Sequence, residues 1–252
     1  MSKKNNILIT GGSVRIGKEI ALAISNSSNN IIIHYHQSFN QASALKKSVE
    51  KLGSQCAVIK CDLSKKRSTE GLIKRAGKFF GPINFLINNA SVFENDNINN
   101  FTVDSWNKHM NVNLYAPLKF SRDLKKLLPT TSKGHIINIL DQNVLNPDIS
   151  YLSYSLSKAA LYSATKVLAK SFAPNIRVNA IGPGPTMQGV RQSADHFMRQ
   201  RAATVLGRGS NPSDITAALG YFLNAPAVSG QLLCVDGGQH LAWQTPDVLG
   251  LD

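Results

Sequence analysis

"LITGGSVRIGKEIALAI", residues 8–24, runs from an apolar strand through a pair of glycines into an amphipathic helix. A helix that starts this way offers unpaired backbone N–H groups and the positive end of its dipole, and glycines let the backbone come close to a pyrophosphate. Many tight strand-to-helix turns use glycine, so the loop draws its weight from standing at the first strand of the chain. It predicts a dinucleotide site there.

Outward from this loop, strand-length apolar runs alternate with helical patterns almost to the end. The strands are expected at Asn6–Thr10, Asn30–His36, Gln55–Lys60, Asn84–Asn88, His135–Leu140, Ile176–Ile181 and Leu232–Val235. Helical periodicity covers Ile16–Asn26, Asn40–Leu52, Lys65–Phe79, Thr102–Leu128, Tyr151–Phe172, Ala194–Thr204 and Pro212–Leu223. Repeated β-α units imply an α/β fold: a Rossmann-type doubly wound parallel sheet of about seven strands with helices on both faces. No linker or repeat divides residues 1–252, so one domain is expected. In such a sheet, ligands bind beyond the C-terminal ends of the strands, where strand order reverses.

Composition narrows the partners. The net charge is +13, but the basic residues fall in scattered pairs and triplets such as Lys46-Lys47 and Lys65-Lys66-Arg67, with no stripe interleaved with aromatics. That pattern suits solvated helix faces and a field attracting phosphorylated cofactors or carboxylates; nucleic acid is the weakest reading. No run of about 18 uncharged apolar residues could span a membrane. Cys56, Cys61 and Cys234 form no metal-ligand spacing and leave an odd count, so neither a metal nor a disulfide framework is expected, and the chain reads as cytoplasmic.

Two Tyr-x-x-x-Lys pairs stand within "SYLSYSLSKAALYSATKV", residues 150–167. Residues four apart share a helix face, and a nearby ammonium favours the phenolate of a tyrosine whose ordinary pKa is about 10. Tyr154 and Lys158 fall nearest the loop after the fifth strand and become the expected proton relay. Tyr162 and Lys166 lie about 12 Å further down the helix, where surface or interface is the better reading. Asp141 stands thirteen residues before Tyr154. It follows the end of the fifth strand at the crevice, where a carboxylate would repel a developing alkoxide unless protonated and suits a substrate that presents N–H donors or a ring nitrogen needing a proton.

After the second strand comes "HYHQSFN", residues 34–40, with no Asp or Glu to accept from ribose hydroxyls. His36, Gln37 and Ser38 can instead donate to a 2′-phosphate, although Ser38 or Asn40 could simply cap the next helix. With Arg15 in the glycine loop, NADPH is favoured over NADH.

These motifs resemble the short-chain dehydrogenase/reductase family, and the resemblance covers essentially the whole chain. It rests on Thr10-Gly11-x-x-x-Arg15-Ile16-Gly17, on "KCDLS" with Asp62 and Leu63, on Asn88-Asn89-Ala90-Ser91, and on Asn113 in "NLYAP". "RVNAIGPGPT", residues 177–186, "VDGGQ", residues 235–239, and the Tyr154-Lys158 pair complete it. The usual loop has glycine where Arg15 stands, and the usual serine is Asp141. Both replacements resemble pteridine reductases and bacterial dihydromonapterin reductases, as does Phe93 two residues after Ser91.

The resemblance implies cofactor contacts from Gly11, Arg15, Ile16, Gly17, Asp62, Leu63, Asn89, Ala90, Ser91, Tyr154, Lys158, Pro183, Gly184 and Thr186. It implies a substrate pocket of Arg15, Ser91, Phe93, Asp141 and Tyr154, and a proton relay that includes Asn113. A substrate lid is expected over residues 186–209, and the family pattern suggests a homotetramer. The expected activity is NADPH-dependent reduction of a dihydropterin, dihydromonapterin or dihydrofolate-type, at a ring C=N. Two alternatives stay open: a carbonyl reductase acting on 3-oxoacyl or sugar-like ketones, and a non-catalytic nucleotide-sensing scaffold.

Overall fold

The structure is a computed structural model that describes residues 4–147, 150–189 and 192–242. Its seven strands are β1 Asn5–Ile9, β2 Asn29–Tyr35, β3 Gln55–Lys60, β4 Phe85–Asn88, β5 Gly134–Ile139, β6 Ile176–Pro183 and β7 Leu232–Val235. They form one sheet in the order β3-β2-β1-β4-β5-β6-β7, with every pairing parallel.

Alternation along the strands builds two cores. Ile7, Ile9, Ile31, Ile33, Ile137 and Ile181 meet helices α1 Arg15–Ala23, α2 Phe39–Lys51 and α8 Pro212–Asn224. Leu8, Ile32, Leu86, Ile136 and Val178 point the other way, against α3 Leu72–Phe80, α5 Ala116–Leu127 and α6 Leu152–Phe172. Strands buried on both faces read as continuous apolar runs, as β2 does with seven buried residues of seven. The chain winds one way from β1 to β3 and the other from β4 to β7, which opens a crevice at the C-terminal ends of β1 and β4.

Two expected helices are divided. The pattern at 65–79 breaks into a 3₁₀ turn, Lys66–Thr69, and α3, separated by Gly71 in the left-handed region at φ 64°. The pattern at 102–128 becomes α4 Val103–His109, a π-helical turn Met110–Tyr115, and α5. Pro117 stands in the first turn of α5, where its missing N–H is tolerated. Helix α7 Ala194–Ala202 has no buried residue and rides on the surface after β6.

Candidate active site

The glycine loop between β1 and α1 is stapled to the loop after β4. Asn89 Nδ2 donates to the carbonyls of Thr10 and Gly11, both at 2.9 Å. Thr10 Oγ1 accepts from the amides of Asn89 and Ala90 at 3.0 Å. Gly11 has φ 58°, and a Cβ there would lie 2.9 Å from Ala90 Cα. Helix α1 starts with no side-chain cap and no acidic residue in its first turn, which leaves its first N–H groups open to an anion.

His34 supports the loop from below. Gly11 N–H donates to its Nδ1 at 3.0 Å, so Nε2 carries the ring proton and donates to Cys61 O at 3.0 Å. Burial pulls this imidazole down to about 4 and keeps it neutral. Nothing in the alternation of β2 distinguishes it from a core residue.

Between β1, β2 and β3 lies a hydroxyl-rich corner. Ser38 caps the start of α2 without a side-chain bond to it; its Oγ sits 2.6 Å from Ser13 Oγ instead. Gln37 is exposed, as is His36, whose Nε2 lies 3.7 Å from Asp62 Oδ2. Asp62 accepts from the amide and hydroxyl of Ser64 at 3.0 and 2.6 Å. Burial works to raise the Asp62 carboxyl, but the Ser64 bonds, His36 and Lys65 hold it below its ordinary value. Leu63 beside it is buried.

The residues expected to react gather at the end of β5. Tyr154 donates its hydroxyl proton to Asp141 Oδ2 at 2.6 Å, and Asp141 Oδ1 accepts from Asn143 N–H at 2.9 Å. Lys158 Nζ donates to Ile139 O at 2.8 Å and lies 5.7 Å from the Tyr154 ring centre. Both side chains are buried. The expected lowering of the tyrosine pKa does not hold in the protein alone. Burial, the charge of Asp141 and the bond donated to it raise Tyr154 well above 10. Asp141 is in contact with the hydroxyl and the ammonium is not, so the carboxylate wins. Burial also draws Lys158 down to about 8, against the attraction of Asp141.

Asn113 occupies the π turn and is fully engaged. Its Oδ1 accepts from Val92 N–H at 2.8 Å and Ser91 hydroxyl at 3.3 Å. Its Nδ2 donates to Val92 O at 2.9 Å and Ser157 Oγ at 3.0 Å. Ser157 in turn donates to Tyr154 O at 2.7 Å, a link that one serine among several in α6 does not announce in the sequence. Phe93, 50% exposed, stacks on Tyr151 at 4.4 Å and meets the Tyr154 ring edge-on at 4.6 Å.

The other expected residues form the opposite rim. Pro183 ends β6, Gly184 packs on Asp236, and Thr186 donates to Gly184 O and pairs with Ser210. Arg15, at φ 53°, reaches across the crevice to the carbonyls of Gln188 and Met187 at 2.8 and 3.0 Å. Ile16 packs partly buried against the core. The second pair stands apart: Lys166 lies 4.1 Å over the Tyr162 ring, beside a cleft of about 860 Å³ that none of Asp141, Tyr154, Lys158 and Asn113 lines. Among the described residues, no group of three or more His, Cys, Asp or Glu could hold a metal ion, and no helix is long and apolar enough to cross a membrane.

A family model described as enoyl-(acyl carrier protein) reductase matches residues 13–240. This chain belongs to the short-chain dehydrogenase/reductase family. As a short-chain dehydrogenase/reductase it is an oxidoreductase, and its solved relatives refine the comparison. It superposes on FolM alternative dihydrofolate reductase 1 from Brucella suis, solved with NADP, at TM-score 0.93 and 37% identity, covering 98% of this chain and 99% of that one. The Brucella canis counterpart, also with NADP, gives 0.89 and 37%, covering 97% of both. A blue fluorescent protein from a metagenomic library, in complex with NADPH, gives 0.87 and 26%, covering 94% of this chain and 98% of that one.

Proposed function

We propose that this short-chain reductase uses NADPH to reduce a dihydropterin, of the dihydromonapterin or dihydrofolate type, at a ring C=N. The observation that carries the reading is the 2.6 Å bond from Tyr154 to Asp141, a carboxylate where the family usually has a serine hydroxyl. The Brucella relatives, named as dihydrofolate reductases and solved with NADP, support it.

The residues present fit the cofactor. The uncapped start of α1 suits the pyrophosphate, with Arg15 at its side. The Ser13–Ser38 pair, Gln37 and His36 offer donors to a 2′-phosphate, and no carboxylate follows β2 directly. Asp62 and Leu63 would flank adenine; Asn89, Ala90, Ser91, Pro183, Gly184 and Thr186 would line the remainder, and Lys158 would hold the nicotinamide ribose. When bound, the nicotinamide supplies hydride.

Reducing C=N takes hydride at carbon and a proton at nitrogen. Tyr154, held neutral by burial and by Asp141, would supply the proton, and Asp141 can hold an N–H edge of the ring. Asn113 fixes the Ser91–Val92 backbone and, through Ser157, the turn carrying Tyr154. A carboxylate touching the hydroxyl disfavours the alkoxide of ketone reduction, which ranks the carbonyl alternative second.

Incubating the protein with NADPH and a panel of oxidised pterins, dihydropterins, folates, 3-oxoacyl thioesters and sugar ketones tests this. Dihydropterin-dependent NADPH oxidation is the expected result; turnover of ketones alone would overturn it. The double change Gln37→Asp and Ser38→Ala is expected to shift the NADPH to NADH ratio of kcat/KM by about tenfold toward NADH, and an unmoved ratio refutes the 2′-phosphate corner. Phe93→Ala is expected to raise the dihydropterin KM about tenfold, with the NADPH KM within twofold, because the lost ring stacks on substrate.

Residues 186–209 are assigned as the substrate lid, within one domain spanning 1–252. Residues 190 and 191 of that segment lie outside the described ones. We assign a homotetramer built partly on α4, α5 and α6, where Val103, Leu156 and Val167 are exposed, and a cytoplasmic location.

A further inference from the structure

Tyr154 and Lys158 sit in the first two turns of α6, and that end of the helix is held from outside its own segment. Tyr151, the residue before the helix, supplies no side-chain cap. Asp96 supplies it instead, from the loop between β4 and α4. Its backbone carbonyl accepts from Leu152 N–H at 2.9 Å, and its Oδ1 accepts from Ser153 N–H at 2.9 Å, satisfying the first two amides of the helix.

The other carboxylate oxygen, Oδ2, accepts from the Ser105 hydroxyl in α4 at 2.7 Å, which fixes the rotamer. Asp96 is 3% exposed, and its backbone forms an isolated parallel bridge with Tyr151, whose ring stacks on Phe93. Burial works to raise its carboxyl, but the bonds from Ser153 and Ser105 hold it below the ordinary value, so it is ionised near neutrality. An anion at this helix end is also favoured by the α6 dipole.

We propose that Asp96 is a positioning residue: it locks the start of α6 to the loop bearing Phe93, and so sets where the Tyr154 hydroxyl stands relative to the ring that Phe93 would stack. Capping alone could be done by a local Ser or Thr at residue 151. What a local cap could not do is tie the catalytic turn to the substrate-stacking loop, five residues after Ser91. The inference rests on the Tyr154 chemistry and is independent of whether the substrate is a pterin or a ketone.

The test compares Asp96→Ala, Asp96→Asn and Asp96→Glu, each assayed on the whole protein well below its thermal midpoint, with NADPH binding followed by nicotinamide fluorescence. Turnover uses a dihydropterin, or a 3-oxoacyl thioester if the wild type reduces only that, which would refute the pterin reading without touching this one. Asp96→Ala should lower kcat per NADPH-binding site about tenfold or more, with NADPH affinity within twofold, since small misplacements of reacting groups are costly in rate. Asp96→Asn, which retains an acceptor for Ser153 N–H, should recover to within about threefold.

Should the alanine variant fail to fold, Asp96→Glu carries the test: it keeps the charge but moves the oxygens by one methylene, and the same fall in kcat is expected. A second readout is the double change with Phe93→Ala, where the two losses should be markedly non-additive because the residues act as one unit. Full kcat per binding site in Asp96→Ala or Asp96→Glu, or strict additivity with Phe93→Ala, would overturn the proposal.

Discussion

Asp141→Ala is expected to lower dihydropterin turnover by about a thousandfold while leaving NADPH affinity within about twofold. The carboxylate accepts from the Tyr154 hydroxyl at 2.6 Å, and together with burial it keeps that hydroxyl protonated. Without it the tyrosine loses both its orientation and the partner that would hold the N–H edge of a pterin ring. Glycine-loop contacts are untouched, so cofactor fluorescence titrations should overlay. Asp141→Ser makes the sharper comparison: it restores the hydroxyl usual in the family and should favour ketone over pterin turnover. Pterin reduction at the wild-type rate by the alanine variant would remove Asp141 from the reaction.

Gly17→Ala should have the other large effect, on binding rather than on chemistry. An added Cβ would sit 2.4 Å from Gly11 O, 2.6 Å from Asn89 Nδ2 and 2.9 Å from Gly12 Cα. Two of those atoms are backbone, and the third is the amide that staples the glycine loop to the loop after β4. The loop must therefore move, and NADPH affinity should fall on the order of a hundredfold, or about 3 kcal/mol. Gly77→Ala, whose Cβ meets only Pro82 Cα at 3.8 Å, is the control that should leave binding unchanged. Equal NADPH affinity in both variants would show that the loop tolerates the extra methyl and that packing there is not what shapes the site.

The sheet was legible because its strands are buried on both sides. Runs such as "NNIIIHY" and "GHIINI" admit little else, and their order follows from right-handed crossovers. The placement of the candidate set was legible through spacing along one helix, which puts Tyr154 and Lys158 beside Asp141 and Ile139 and Tyr162 and Lys166 at a different cleft. Hydrogen bonds between distant segments were not. His34 looks like one more core position, Ser13 like a loop residue and Ser157 like a helix-surface serine; each acts through a partner 25, 27 or 44 residues away. Asp96 hides in the polar stretch "ENDNINN", where no periodicity distinguishes a buried carboxylate from a solvated one. The sign of the Tyr154 shift came first from burial and then from the carboxylate touching the hydroxyl, neither of which spacing along a helix reaches.

The π-helical turn at Met110–Tyr115 has a consequence for how such a protein can vary over generations. Most side chains on α4 and α5 could change identity and leave the backbone as it is. Losing a single residue from the turn is a different kind of event: it would return the segment to regular α geometry and swing α4 by about 100° relative to α5. Asn113 would then face away from Val92 and Ser157 although every remaining letter was unchanged. At this point the gene is more sensitive to spelling length than to spelling, and deletions should be rarer there than substitutions.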